Sequence, residues 1–245
     1  MSAIKTIRSF AIFLLLLPII DAFGAEETPA ADTAANTAAE TLPNVEDADT
    51  LKKLDPQDPI WVSADRKRVV LLGEVCLREG LLELFACAKN SKEHESIVTI
   101  GVKPYLIHAA LLVIGAKKGR PVQYTPEFTP PEGEKIAVHV RWRDSDGTVR
   151  DVRAQEWICK ADSTEEMSIP WVFTGGSIGK DPNNKSYYLA DVTGELIGVS
   201  NFAGTILDVP IESSVNNDEL LFEPFTERIP PVGTGVTLVL SVEPE

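Results

Sequence analysis

From residue 59 onward, the spacing of apolar residues is mostly that of β-strands. The clearest case is Lys135–Asp144, KIAVHVRWRD, where aliphatic residues and Trp142 alternate with polar ones and so share one face of an extended chain. Four further runs have strand length and composition: RKRVVLLGEVCL at 66–77, with Gly73 in the position of a β-bulge, LLELFAC at 81–87, SIVTI at 96–100 and VTLVLSVE at 236–243. The turn DSDG predicts a hairpin into TVRDVRAQEWI, and SYYLAD followed by ELIGVSN predicts a second hairpin.

One segment, Lys103–Ile114, departs from this pattern and predicts a helix. Its sequence KPYLIHAALLVI has Pro104 in the first turn, where proline is tolerated, and Gly115 follows as a stop signal. The segment is apolar nearly all round, so the helix is expected to be buried against the sheet. Strands and helices do not alternate along the chain. The expected fold class is therefore α+β: a β-rich single domain of mainly antiparallel strands with one buried central helix.

The first 58 residues have a different composition. Lys5 and Arg8 precede an apolar run over Phe10–Ile20, which as a helix would span roughly 16 Å, against about 30 Å of hydrocarbon in a bilayer. Small residues up to Gly24 follow this run, and the whole pattern predicts a signal peptide at 1–24 that is cleaved off. Residues 25–58 are rich in Ala, Thr, Pro and acidic residues and contain no aromatic side chain, which predicts a disordered acidic linker.

These segments leave residues 59–245 as one globular domain. The signal peptide predicts export through the secretory pathway, to the periplasm or the outside of the cell, and no membrane insertion is expected once it is removed. The chain carries 37 acidic residues against 23 Lys and Arg, a formal net charge of −14. Because such a surface repels phosphate groups, nucleic acid is excluded as a partner. The expected partner is an unidentified envelope protein or a glycan.

Three cysteines, Cys76, Cys87 and Cys159, limit the redox and metal chemistry of the chain. In an exported protein they form at most one disulfide, and their spacing leaves all three pairings open. The absence of a CxxC motif argues against a thioredoxin-like site and against a local four-cysteine zinc site. An iron–sulfur cluster is equally disfavoured, because it normally needs four thiolates.

A metal-ligand set is suggested by the stretch ACAKNSKEHES at 86–96. It contains Cys87, His94 and Glu95, and His108 of the predicted helix follows closely. Two imidazoles, a thiolate and a carboxylate make a tetrahedral zinc set, so these four residues are the candidate metal ligands and zinc is the one candidate cofactor. Two alternatives stay open: an activated Cys87 thiol beside His94, and a polar loop without a ligand. His108 itself is expected to be buried and hydrogen-bonded, with a carboxylate of KEHES as one candidate partner.

The glycine-rich stretch Gly175–Gly179, GGSIG, has the spacing of a hydrolase nucleophile elbow with Ser177 as the nucleophile. That elbow needs a helix directly after it and a histidine later in the chain. The loop KDPNNKS follows instead, and all three histidines precede Ser177. We therefore interpret the stretch as a turn, and no catalytic residue is assigned.

Several of these stretches together resemble the YdjY-domain family of exported bacterial proteins: GEVCLREGLLELFACAKNSKEHESIV, HAALLVIGAKKGRPVQY, WVFTGGS, YYLAD and VSNFAGTILDVPIESS. The resemblance spans essentially all of residues 59–245. It implies export and supports the domain boundary, and it implies no particular chemistry. The first hypothesis for function is an exported, non-catalytic binding or structural module of the cell envelope. The alternative is a metal- or thiol-dependent site around Cys87, His94 and His108.

Overall fold

The structure is a computed structural model, and it describes residues 48–216 and 219–244. The predicted signal peptide and residues 25–47 of the predicted linker lie outside these residues. The helices are α1 (Pro104–Val113) and α2 (Leu189–Thr193). The strands are β1 (Leu51–Lys53), β2 (Ile60–Ser63), β3 (Arg68–Val75), β4 (Leu84–Ala88), β5 (Ser96–Ile100), β6 (Lys118–Arg120), β7 (Glu132–Gly133), β8 (Lys135–Arg143), β9 (Val149–Arg153), β10 (Ile158–Lys160), β11 (Trp171–Phe173), β12 (Ile178–Lys180), β13 (Ser186–Tyr188), β14 (Glu195–Gly198), β15 (Leu207–Asp208), β16 (Phe222–Pro224) and β17 (Gly235–Val242).

Eight of these strands close into a β-barrel within the described part of the chain. Their order is β3, β17, β8, β11, β15, β14, β4 and β5, and β5 pairs back onto β3. Strands β1 and β2 extend from β3 outside the ring, and β9 is added to β8. Within the ring, the pairs β4–β5 and β14–β15 are parallel and the other pairs are antiparallel.

The predicted fold class, an α+β domain of mainly antiparallel strands with one buried central helix, is therefore wrong. The described residues form a closed β-barrel with two short helices, and β-strands make up most of the regular structure. The physical reason is that apolar alternation reports which residues are extended and half-buried, and says nothing of which strands pair. Closure depends on a contact between strands that are distant in sequence.

The barrel closes because one edge of β3 serves two strands. Along that edge, Val69–Leu71 pair with β2, whereas Gly73–Val75 pair with β5. The change of partner occurs at Gly73, which lies opposite Ile100. A Cβ at Gly73 would lie 2.9 Å from the carbonyl oxygen of Thr99 and 2.9 Å from a methyl group of Val98. Glycine is thus needed at this position for the backbone of β5 to come close enough to pair.

Aromatic side chains fill one part of the core. The ring of Phe85 lies 5.5 Å from Trp171 and 6.4 Å from Trp157, and Trp142 contacts Trp157 edge-on at 5.2 Å. Such tilted and edge-on pairs are worth about 0.5–1.5 kcal/mol beyond their buried area. The contacts join β4, β8 and β11 to the turn at Ala154–Trp157, so they tie sequence-distant elements into one core.

Helix α1 packs against β2 and β3 along only one of its faces. Ile107, Ala110 and Leu111 are buried in the core, whereas Tyr105 and Leu112 are 45% and 48% exposed. The prediction of a helix buried against the sheet therefore holds for one face alone. Within residues 48–216 and 219–244, no helix combines the length and apolarity that crossing a bilayer requires.

Two local predictions also differ from the structure. The second hairpin is absent: β13 pairs with β12, α2 follows, and β14 pairs with β4 and β15. Residues 48–58, which the sequence placed in the linker, include β1, and Leu51 packs against Trp61 and Val239. The sequence did not predict this strand, because two of its three residues are exposed lysines and only Leu51 contributes apolar area.

The replacement Gly73→Ala is expected to destabilise the domain by about 1–3 kcal/mol, as overpacking does, because the new methyl group would push β5 away from β3. Chemical denaturation would measure the free energy of unfolding. The matched control is Gly235→Ala on the neighbouring strand β17, where a Cβ meets nothing within 4 Å. Equal stability of the two variants would contradict the close approach at Gly73.

Candidate functional site

The candidate site is a surface pocket between α1 and the hairpin β12–β13, with a volume of about 240 Å³. We call it the α1 pocket. Its lining includes Tyr105, His108 and Leu112 from α1, Lys118 from β6, and Ile178 and Tyr188 from the hairpin. Because an apolar cavity of about 150 Å³ binds benzene, this volume has room for one phenyl ring or one leucine-sized side chain.

The helical period explains why α1 offers these three side chains to the pocket. Tyr105, His108 and Leu112 are three and four residues apart, so they lie on one face of the helix. The core-facing residues of α1 occupy the other face. Because the helix is apolar on both faces, the face that the barrel does not cover forms an apolar wall.

His108 is fixed by a hydrogen-bond network at the base of the pocket. The hydroxyl oxygen of Tyr188 lies 3.1 Å from Nδ1 of His108 and 3.1 Å from the carbonyl oxygen of Gly175. A phenol has one hydrogen, so when Tyr188 donates to Gly175 it accepts a hydrogen bond from Nδ1–H of His108. Nε2 then carries the lone pair of a neutral imidazole. The ring also contacts Phe173 edge-on at 5.2 Å.

The pKa of His108 lies below its ordinary value of 6.5. Burial is the largest cause, because a half-buried imidazolium loses hydration, and the positive charge of Lys118 adds to it. Burial also raises the pKa of the Tyr188 hydroxyl. Both groups are therefore uncharged near pH 7, and Lys118 supplies the positive charge among the lining residues named above.

The stretch GGSIG forms the wall opposite α1. Gly175 has a φ of +82°, which favours glycine, and a Cβ there would lie 3.0 Å from Cδ of Lys118 and 3.2 Å from Cε1 of His108. The missing side chain lets the aliphatic stem of Lys118 and the His108 ring pack directly on the backbone. The motif that imitated a hydrolase elbow is thus a turn that shapes the pocket.

The stretch ACAKNSKEHES forms an ion-pair cluster around Lys92. The ammonium nitrogen of Lys92 lies 2.8 Å from a carboxylate oxygen of Glu95, 3.4 Å from Glu83 and 3.9 Å from Glu195. Burial raises the pKa values of Glu83 and Glu195. The Phe202 ring, 4.3 Å from the same nitrogen, adds a cation–π contact. A lysine therefore occupies the centre of these carboxylates.

The four predicted zinc ligands lie in different surroundings. His94 is 77% exposed and its Nε2 is 3.6 Å from Glu95, which in turn binds Lys92. Cys87 is buried, and His108 belongs to the α1 pocket. In the part of the chain that the structure describes, no group of three or more His, Cys, Asp or Glu side chains is arranged to hold a metal ion. Zinc binding itself stays a prediction.

Cys87 interacts with Cys76 rather than with a histidine. A hydrogen bond between the two thiols raises the pKa of Cys76 and lowers that of Cys87 to about 6, and the Ser96 hydroxyl also favours the Cys87 thiolate. The Sγ atom of Cys76 also lies 3.0 Å from the carbonyl oxygen of Ser96, so its single hydrogen has two acceptors within reach. All three cysteines, including Cys159, are free thiols in the structure.

Of the residues that line the pocket, sequence reasoning assigned only His108 to a site and missed the others, among them Lys118, Ile178 and Tyr188. Lys118 sits in the basic run AKKGR and Tyr188 in the strand-like SYYLAD, and neither segment shows an unusual residue. The signal that was available is the glycine pair of GGSIG, since adjacent glycines often mark a close approach of backbone to side chain or ligand. The partner of His108 is Tyr188, eighty residues away, rather than a carboxylate of KEHES.

A family model described as the YdjY domain matches residues 60–241, which is well over half of the chain. The chain therefore belongs to the YdjY domain family, and the resemblance seen in the sequence is confirmed. The function of this family is unknown. Comparison with curated proteins gave no match, and comparison with solved structures gave none either.

The geometry predicts that Lys118→Met raises the pKa of His108 toward 6.5, because the repulsion that disfavours the imidazolium is removed. NMR titration of the histidine ring protons would measure it, with each ring assigned from a His→Gln variant. Lys117→Met is the matched control, since it removes an exposed charge that is not among the causes of the shift. An unchanged pKa in Lys118→Met would place the ammonium away from the ring.

Proposed function

We propose that this member of the YdjY domain family is an exported, non-catalytic binding module of the cell envelope, and that the α1 pocket is its binding site. The observation that carries the proposal is an open pocket whose rim consists of exposed apolar side chains. Leu112 and Ile178 are 48% and 67% exposed, and Tyr105 adds an aromatic ring beside them. Contiguous apolar surface of this kind typically marks an interaction site.

The exposed apolar side chains of the rim could contribute free energy to binding, because much of their surface is not buried in the free protein. Fully burying a Leu or Ile side chain contributes about 1.5–3 kcal/mol, and roughly half of that is unrealised when the side chain is half exposed. Three such side chains around one pocket therefore offer a few kcal/mol to whatever covers them. That amount supports a weak to moderate complex, in which association costs must also be met.

The proposal of a non-catalytic site rests on the chemistry of the lining. General acid–base or nucleophilic catalysis needs a positioned pair of groups with matched roles. In the α1 pocket, Nδ1 of His108 is engaged with Tyr188, and the remaining lining is mainly aliphatic, aromatic or glycine. This composition suits the holding of an apolar group better than its transformation.

Between a protein and a glycan, the rim favours a protein partner. Leu112 and Ile178 project aliphatic surface, which matches apolar side chains of a polypeptide. Glycan recognition typically combines a flat aromatic platform with several hydrogen-bonding side chains around it, and here Tyr105 is the one exposed aromatic ring among the lining residues. An acidic chain of net charge −14 also disfavours polyanionic partners.

If the α1 pocket binds apolar groups, a small neutral aromatic compound, 4-fluorobenzyl alcohol, should bind the protein with a Kd on the order of 1 mM. This corresponds to a binding free energy of about −4 kcal/mol. Line broadening in its ¹⁹F NMR spectrum would report this. Leu112→Glu should abolish the effect, because it places a charge on the apolar wall. Val232→Glu, which alters an exposed apolar residue away from the lining, is the control and should bind as the parent does. Broadening that survives Leu112→Glu would remove the pocket as the binding site.

Export predicts that the full chain, produced in a bacterium, loses Met1–Gly24 and is recovered outside the cytoplasm with Ala25 as its first residue. Intact-mass measurement of the exported fraction would establish this. Leu15→Arg interrupts the apolar run and is expected to leave the signal uncleaved. A parent chain that keeps Met1 after export would show that the segment is not a cleaved signal.

A further inference from the structure

We propose that the occupant of the α1 pocket is an apolar group that carries a carboxylate, and that the ammonium of Lys118 pairs with that carboxylate. This inference rests on the proposed function and names the chemistry of its ligand. The observations behind it are the placement of the Lys118 side chain, its lack of an acidic partner, and the neutral state of the other polar groups in the pocket.

The stem of Lys118 lies along the wall of the pocket. Its Cδ and Cβ are 3.0 and 3.3 Å from the position that a Cβ of Gly175 would occupy, so the methylene groups pack on the Gly175 backbone. Long cationic side chains commonly cover apolar surface in this way while the charged end stays at the solvent boundary. The ammonium of Lys118 is thus held at the edge of the pocket, where it can meet a group that enters beside the apolar wall.

Lys118 forms no ion pair among the described residues. Arg120, two residues along the same strand, pairs with Glu132 at 2.7 Å, and Lys92 is surrounded by three glutamates. The free ammonium at the α1 pocket therefore gives the site one uncompensated positive charge.

The other polar groups cannot supply that charge at neutral pH. Burial and the charge of Lys118 both lower the pKa of His108, and the two side chains pack against the same point of the Gly175 backbone. The Tyr188 hydroxyl is engaged with Gly175 and His108. Lys118 is accordingly the group that distinguishes an anionic ligand from a neutral one of the same shape.

A single carboxylate fits these constraints better than a more highly charged anion. The net charge of −14 repels polyanions at long range, whereas one carboxylate seated on one ammonium is neutralised locally. The aliphatic and aromatic walls select an aryl or alkyl group. Two sources provide this chemistry: the carboxyl-terminal residue of a polypeptide, and a free aryl or alkyl acid.

The test compares two acids with their own primary amides by ¹⁹F NMR. N-acetyl-4-fluorophenylalanine represents the end of a polypeptide, and 3-(4-fluorophenyl)propanoate represents a free acid. Each pair differs only in the charged group. We expect each acid to bind the parent protein about fivefold tighter than its amide, which is the upper range for an exposed ion pair. The preference should shrink in 0.5 M salt, where charges are screened.

Lys118→Met should remove the preference for the acids, so that each acid binds this variant no tighter than its own amide does. Lys118→Arg and Lys117→Met keep a cation at position 118, so both variants should still prefer each acid over its amide. The acid that binds tighter identifies the source. Equal binding of acids and amides, or a preference that survives Lys118→Met, would overturn the inference while the neutral probe still supports the pocket. Loss of the neutral probe from the parent protein would overturn the proposed function as well.

Discussion

The divided edge of β3 is the constraint on which the rest of this structure depends. Its first half pairs with β2 and its second half with β5, and the change of partner requires glycine at position 73. Without the second pairing the sheet would stay open, with β3 and β5 as exposed edges that are prone to pair with other chains. With it, β5 is fixed in the ring, and Pro104, four residues after the last residue of β5, starts α1 at a defined place.

The start of α1 is fixed further by Asp58, which lies outside the ring. Its Oδ2 accepts a hydrogen bond from the backbone N–H of Lys103 at 3.0 Å, and its Oδ1 lies 3.8 Å from the ammonium of Lys103. The position of α1 against β2 and β3 thus follows from barrel closure together with one buried carboxylate. The pocket exists because this placement leaves Tyr105 and Leu112 uncovered while Gly175 approaches from the opposite side.

The elements themselves were largely predictable from sequence, and their arrangement was not. The strands β3, β4, β5, β8 and β17 and the helix α1 lie within a few residues of where apolar spacing placed them. Barrel closure was missed because the pairing of Gly73 with Ile100 leaves no periodic signal. The same limit applies to the site: His108 was recognised as notable, but its contacts with Tyr188 and Lys118 depend on segments that are distant in sequence.

Two lysines of the molecule, Lys92 and Lys118, lie in different electrostatic surroundings. Around Lys92, three carboxylates surround one ammonium, so the cluster satisfies its own charges and fixes the loop between β4 and β5. Beside α1, one ammonium lies next to an apolar wall and a neutral imidazole, and it forms no ion pair among the described residues. The sequence makes the first region conspicuous, because its charges are adjacent along the chain. The second region has no such signal in the sequence, because Lys118, His108 and Gly175 come together only when the barrel closes.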